Sequence, residues 1–313
     1  MSFWERLQAK TRENKYYRMY RRSGLYDRFS FDDFLYYRMQ TMEQAQREEI
    51  LSISELETIE KQLNDDAKRD VFNDKRKFYA RFASYIHREI RLLENMEFDE
   101  FLRFVKQQGR VIVKPPLLYA GQGVEMLLAQ QVEDNRYWQD NFSAKKEAGY
   151  VAETYVVQKE AYQKIYSGCL NTVRIMTFVK KDGTPMVLAA ANQFGSGGSV
   201  VDNDDLTGIW ASINVETGIV EQVETDPFTS IVQETHPDTG EKILGFVNED
   251  FALMKEVALK AALEEPTCRL IGWDMAVTPQ GEVEIIEGNV TPEIDLFQTI
   301  TGKGFRSFFA ENL

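Results

Sequence analysis

Two textures of apolar spacing divide the chain. Up to about residue 108 it is rich in helix formers, poor in glycine and free of proline until Pro115, which favours helices. That texture predicts helices from Phe3 to Tyr20, Phe31 to Met39, Glu43 to Gln62, Lys75 to about Asn95 and Asp99 to Gln107. Ser30 ahead of Asp32 and Asp33 reads as an N-cap followed by acids in a first turn, where the helix dipole favours them. After Gly109, short β-branched runs predict strands at Arg110–Lys114, Tyr150–Val157, Thr172–Val179, Met186–Asn192, Ile209–Val215, Ile219–Val223, Leu270–Val277 and Glu282–Glu287. Asp182-Gly183 and Glu216-Thr217-Gly218 supply hairpin turns. Helices are expected at Glu160–Tyr166 and Asn248–Glu265, the latter with Met254, Val257, Ala258, Ala261 and Ala262 on one stripe. The expected class is α+β: a helical region over 1–70, then a hairpin-rich domain over 71–313.

Charge sharpens the division. Residues 1–110 carry 22 Lys and Arg against 20 acids, whereas the remainder carries 15 against 30. An acidic body argues against nucleic acid as a partner, since phosphate-backbone affinity comes chiefly from Lys and Arg. The first 28 residues hold eight basic side chains against three acids, interleaved with Trp4, Tyr16, Tyr17, Tyr20 and Tyr26. This segment suits either packing on its own domain or peripheral contact with a membrane or protein. Nothing in the sequence resembles a signal peptide or spanning helix, and two cysteines, Cys169 and Cys268, make no disulfide scaffold. A cytoplasmic protein is expected. With only His87 and His236 present, chemistry built on several histidine bases or ligands is disfavoured.

The most informative stretch runs from Ile271 to Asn289. Thr278-Pro279-Gln280-Gly281 suits a type I turn. Pairing Thr278 with Gly281 places Asp274 opposite Ile285 and Gly272 opposite Glu287. Gly272, Asp274, Ile285 and Glu287 then share one face, the two carboxylates are diagonal neighbours, and Asn289 has the same parity. Two carboxylates and an amide, with a glycine clearing space opposite, suit Mg2+, which takes oxygen ligands. A solvated face bearing scattered acids is the plain alternative.

Groups suited to phosphate lie upstream. Lys114 ends a strand, and Gly121-Gln122-Gly123 follows within a few residues; a lysine acts there as a point charge, while a glycine loop lets backbone N–H groups approach. Arg174 lies on the strand face of Met176 and Phe178, where its stem can pack and its fork reach an anion.

Taken in order, Asn73-Asp74-Lys75, Val113-Lys114-Pro115, Gly121-Gln122-Gly123-Val124, Glu153-Thr154-Tyr155-Val156-Val157-Gln158, Asn171-Thr172-Val173-Arg174, Gly272-Trp273-Asp274 and Glu287-Gly288-Asn289 resemble the ATP-grasp superfamily. More narrowly, they are similar to its sugar-transfer-associated branch, linked to teichuronopeptide-type biosynthesis and α-L-glutamate-ligase-related proteins. The resemblance covers roughly residues 70–300. It implies two α+β subdomains clasping ATP, with Lys114 on the nucleotide phosphates and Lys75 or Lys77 as a second nucleotide lysine. It implies that Gly121, Gln122 and Gly123 form a phosphate loop, and that Glu153, Tyr155 and Val156 belong to the adenine hinge. Asp274, Glu287 and Asn289 would ligate Mg2+, Arg174 would contact phosphate or activated substrate, and the glycine-rich stretch from Phe194 to Asn203 would border the acceptor site. Residues 1–70 depart from the α/β pre-domain of many relatives.

The implied activity is ATP-dependent ligation of a carboxylate to an amine or related nucleophile through an acyl phosphate, in a sugar-polymer or cell-envelope context. A kinase-like transfer to a hydroxyl and a non-catalytic nucleotide-binding scaffold remain open alternatives.

Overall fold

A computed structural model describes residues 14–117, 122–133, 136–198, 208–223 and 234–313. The N-terminal part holds helices α1 (14–22), α2 (Phe31–Tyr36), α3 (Gln44–Glu49), α4 (Ile53–Leu63), α5 (Arg69–Asn73) and α6 (Lys75–Arg81). The cap at Ser30 is borne out: Ser30 and Asp33 form a reciprocal capping box. The single helix expected over Glu43–Gln62 is instead two, because Ser52 and Glu55 form a capping box that starts α4 afresh. The helix expected to reach Asn95 stops at Arg81, and Ile90–Leu92 forms strand β1. There Ile90, Arg91 and Leu92 pair with a later strand, so partnering overrides local helix preference.

The chain continues through α7 (Phe98–Gln108), β2 (Arg110–Lys114), β3 (Glu125–Leu128), α8 (Ala129–Glu133), α9 (Arg136–Glu147), β4 (Val151–Thr154) and α10 (Glu160–Ile165). Then come β5 (Thr172–Val179), β6 (Pro185–Phe194), β7 (Ile209–Ile213), β8 (Val220–Val223), α11 (Phe251–Glu264), β9 (Leu270–Val277), β10 (Val283–Asn289), α12 (Ile294–Thr301) and α13 (Arg306–Asn312).

Two antiparallel sheets result. The smaller has strand order β1-β4-β2-β3 and the larger β10-β9-β5-β6-β7-β8. β5 and β9 lie in the interior of the larger sheet and are buried along their whole length. On one face, α11 packs its buried Met254, Ala258, Ala261 and Ala262 against Ile175, Trp273 and Met275. On the other, Leu56, Ile59 and Leu63 of α4 join Met176, Phe178, Trp210 and Phe297 in a second core. Asn64, fully buried, donates to the carbonyls of Leu270 and Val290 (2.8 Å each). The helices before residue 70 are thus tied to the larger sheet beside its β9–β10 hairpin.

Candidate active site

The β9–β10 hairpin has a different register from the one its turn suggested. Thr278 N–H donates to the Glu282 carbonyl (2.9 Å), so Val277 pairs with Val283, and a bulge between Ile285 and Glu287 shifts the pairing once more. These two one-residue slips sum to an even number. Asp274 and Glu287 therefore stay on one face but become direct cross-strand partners, and Asn289 pairs with Gly272. Ile285 lies between the slips and turns to the core face opposite Met275, fully buried. Gly272 has a different role from the one expected: a Cβ there would lie 3.0 Å from Pro292 and 3.4 Å from Arg174 Cδ. The glycine admits a proline and the arginine stem, not an ion.

Arg174 completes a row across three strands, because β5 pairs it directly with Asp274. Its guanidinium donates to both Asp274 oxygens (2.7 Å each), binds Glu293 and lies 5.0 Å over the Trp210 ring. Burial opposes its charge, and Asp274, Glu293 and Glu287 more than restore it, so its proton is held above the ordinary range. Glu293 takes a left-handed backbone conformation, φ 60°, which costs a non-glycine residue on the order of 1–2 kcal/mol. That conformation begins α12 with the carboxylate on Arg174. Asn289 Nδ2 lies 3.4 Å from Asp274 and 3.5 Å from Glu287. Turning the amide over would present its oxygen beside two carboxylates, a hard oxygen set that fits Mg2+.

Lys75 lies near Glu287 of this hairpin, with Lys114 and Glu153 close to the lysine. Lys75 opens α6, its N–H donating to the Pro116 carbonyl (3.0 Å) just past Lys114. Burial pushes the Lys75 ammonium below its ordinary range, against the pull of Glu287 and Glu153 and with Lys114 adding to the fall. Lys75 therefore lies near the Glu287 carboxylate, with Lys114 close enough to add its charge.

Lys114 pairs with Glu153, a diagonal neighbour on the same sheet face. Glu153 also accepts from Arg88 Nε (2.8 Å) and the Tyr79 hydroxyl (3.1 Å). Burial would raise its carboxyl, but Arg88 and Lys114 outweigh this and hold it at about 2. The Glu153 side chain thus orients two cations. Tyr155 lies against Arg110, whose guanidinium is 4.6 Å over its ring, and Val156 is buried.

Lys77 points elsewhere, exposed and paired with Asp70 (3.1 Å). Gly123, φ 69°, and Gln122 form a turn ahead of β3, and Gly121 lies outside the described residues. In the glycine-rich segment, the Gly195 carbonyl is 2.7 Å from His236 Nε2 and Gly197 N–H donates to Asp238 (2.7 Å). Residues 199–203 of that segment, and residues 1–13 of the basic N-terminus, are outside the described set.

Two buried groups escaped the sequence reading. Arg88 bridges Glu153 and Glu284 and donates to the Ile285 and Ile286 carbonyls (2.8 and 3.2 Å) at the β10 bulge. The strand beside it, Ile90-Arg91-Leu92, is only three residues long and gave no usable signal. Glu60 sits at an apolar-stripe position of α4 beside Leu56, Ile59 and Leu63, all buried. An acid in such a stripe is the signal there. Its carboxyl is pushed up to about 7 by burial, Asp295 and Glu57 adding to the rise while Arg69 and Lys61 oppose it. Glu60 and Glu57 line a cleft of about 390 Å³ whose other wall includes Arg174, Glu287, Asn289 and Glu293.

The model of the sugar-transfer associated ATP-grasp family matches residues 56–311, most of the chain. The chain belongs to this family. The ATP-grasp match thus begins inside α4 and takes in both sheets and the α12–α13 segment. No curated protein matches. Among solved structures, the chain is similar to an N5-carboxyaminoimidazole ribonucleotide synthetase in its ADP complex, at 14% identity and TM-score 0.44, over 72% of this chain and 46% of that one. It is also similar to the ATP-grasp ligase PsnB with a precursor variant, Mg and ADP, at 12% identity and TM-score 0.47, over 80% and 60%. A third is the Hydrogenobacter thermophilus 2-oxoglutarate carboxylase biotin carboxylase domain, at 13% identity and TM-score 0.43, over 71% and 40%. The chain spans about half the length of these proteins. Among the described residues no helix is long and apolar enough to cross a membrane.

Proposed function

We propose that this ATP-grasp protein is a Mg2+- and ATP-dependent ligase, forming ADP and joining a carboxylate to an amine or related nucleophile, on a sugar-linked carboxylate or amino acid in envelope polysaccharide synthesis. The observation that carries the reading is the proximity of Lys75 to Glu287 of the Asp274–Glu287–Asn289 set, with Lys114 near Lys75.

Lys114 and Lys75 offer point charges to nucleotide phosphates. Mg2+, when bound by Asp274, Glu287 and Asn289, would supply charge neutralisation at the transferred phosphoryl group. In the first step the substrate carboxylate oxygen bonds to the γ-phosphorus while the bond to the bridging oxygen of ADP breaks. In the second, the nitrogen of the free amine bonds to the acyl carbon, the bond from that carbon to the phosphate oxygen breaks, and inorganic phosphate leaves while one N–H proton passes to solvent. Arg174, fixed by Asp274 and Glu293, offers charge where the phosphoryl oxygens develop it, a site at which preorganised groups contribute most. No protein nucleophile is needed.

Glu287→Gln is the cleaner test of this site, because Glu287 is half-buried, whereas Asp274 also anchors Arg174. We expect a folded protein whose Mg2+-dependent ATP turnover falls by roughly two or more orders of magnitude. Near-normal turnover in folded Glu287→Gln protein would sink the assignment.

A further inference from the structure

The cleft beneath α4 presents five carboxylates, Glu57, Glu60, Glu287, Glu293 and Asp295, to one guanidinium, Arg174. Arg174 is already paired with Asp274 and Glu293, and Asp295 accepts from the Tyr36 hydroxyl (3.0 Å). Glu60 stands apart. It is nine-tenths buried and lines the cleft, and among the described residues its carboxylate makes no hydrogen bond or ion pair, its oxygens being open to the cleft. Arg69, the cation that acts most on it, is paired with Asp66 at 2.7 Å. A carboxylate so enclosed, and without a partner from the protein, is left to whatever occupies the cleft, water or ligand.

We propose that Glu60, with Glu57 one helical turn toward the mouth, receives the ammonium group of the amine substrate, so that α4 supplies the acceptor subsite. This rests on the ligase reading above and narrows its second substrate to a primary amine that arrives as a cation. A cleft with this excess of negative charge repels an anionic acceptor. It also suits an organic ammonium better than a second metal ion. Ile53 and Leu56 add apolar wall along which an aliphatic stem can lie. The position follows from the chemistry: the acceptor nitrogen must reach an acyl group formed beside Arg174 and Glu287, which line the same cleft. Bound ammonium would draw the Glu60 carboxyl back toward its ordinary range, so binding near pH 7 releases a proton that Glu60 held against Glu57 and Asp295, with Arg69 and Lys61 opposing.

The probe is n-butylamine, titrated into the full chain by calorimetry in buffers of differing ionisation enthalpy, with n-butanol, butyrate and Mg2+ alone as comparisons. The amine should bind, butanol and butyrate should not, and about half a proton should be released at pH 7. Glu60→Gln should weaken the amine about tenfold or more and abolish the proton release; Glu57→Gln should weaken it less. Equal binding of butanol, no binding of the amine, or unchanged affinity in folded Glu60→Gln would each overturn the proposal, Mg2+ alone serving to measure the metal's own heat. Mg-ATP binding by the wild-type chain is measured in parallel. Its absence alongside intact amine binding would fault the ligase reading and not the subsite.

Discussion

Each half of the molecule buries a glutamate, and the two are pushed in opposite directions. Glu153, in the smaller sheet, is 3% exposed, and Glu60, packed on the larger one, is 9% exposed. Burial raises both carboxyls. At Glu153, Arg88 and Lys114 reverse the effect and hold the group at about 2; at Glu60 the cations stand off and the group rises to about 7. Burial alone therefore says little about a charge; the partners decide. A closed network such as Arg88–Glu153–Lys114 fixes shape, while a lone acid such as Glu60 stores an affinity.

The comparison breaks most visibly at Arg88. Arg88→Met keeps the apolar stem but leaves Glu153 and Glu284 buried with less compensation, a loss that should cost about 3–5 kcal/mol. Urea unfolding would show it, and a loss under 1 kcal/mol would mean the network is not closed as described.

Glu60 should behave in the reverse sense. Its folded pKa lies above its unfolded value, so the stability it contributes is full below about 4.5 and is lost as pH rises through about 7. Glu60→Gln should therefore stabilise the protein at pH 8, by about 1–3 kcal/mol, with the gain shrinking toward pH 4.5. Thermal unfolding across that range checks it; a pH-independent effect would contradict the assignment. A more stable variant that binds amine less well would show stability given up for function.

The smallest effect is expected at Lys77. Lys77 is exposed and paired with Asp70, so Lys77→Ala should change stability by less than about 0.5 kcal/mol. It should leave nucleotide affinity unchanged in a binding titration, whereas a large loss would bring Lys77 back among the nucleotide lysines.

What the sequence disclosed followed its periodicities. Asp274, Glu287 and Asn289 were legible as one face because alternation survives an even total shift. The bulge itself left no trace, since one extra residue alters pairing without altering composition. Arg88 was hidden inside a run of good helix formers, and a three-residue strand is too short to announce itself against that background. Glu60 was not singled out, because the cleft it lines is completed by the β9–β10 side, more than 200 residues away in sequence. Glu153 and Lys114 were each named from the sequence, but not their pairing, nor Arg88, since the three come from separate segments.

The bulge in β10 carries one more consequence, for how this hairpin can vary in length. Arg88 holds the carbonyls of Ile285 and Ile286 there, so the bulge is braced from the other sheet. Loss of one residue from the turn, or of the bulge alone, would rotate Glu287 into the apolar interior and bring a core side chain out in its place. Losing both together would not. Insertions and deletions in this segment are therefore quantised in steps of two. A sister sequence with a shorter turn is expected to lack the bulge as well, and with it the arginine that braces it.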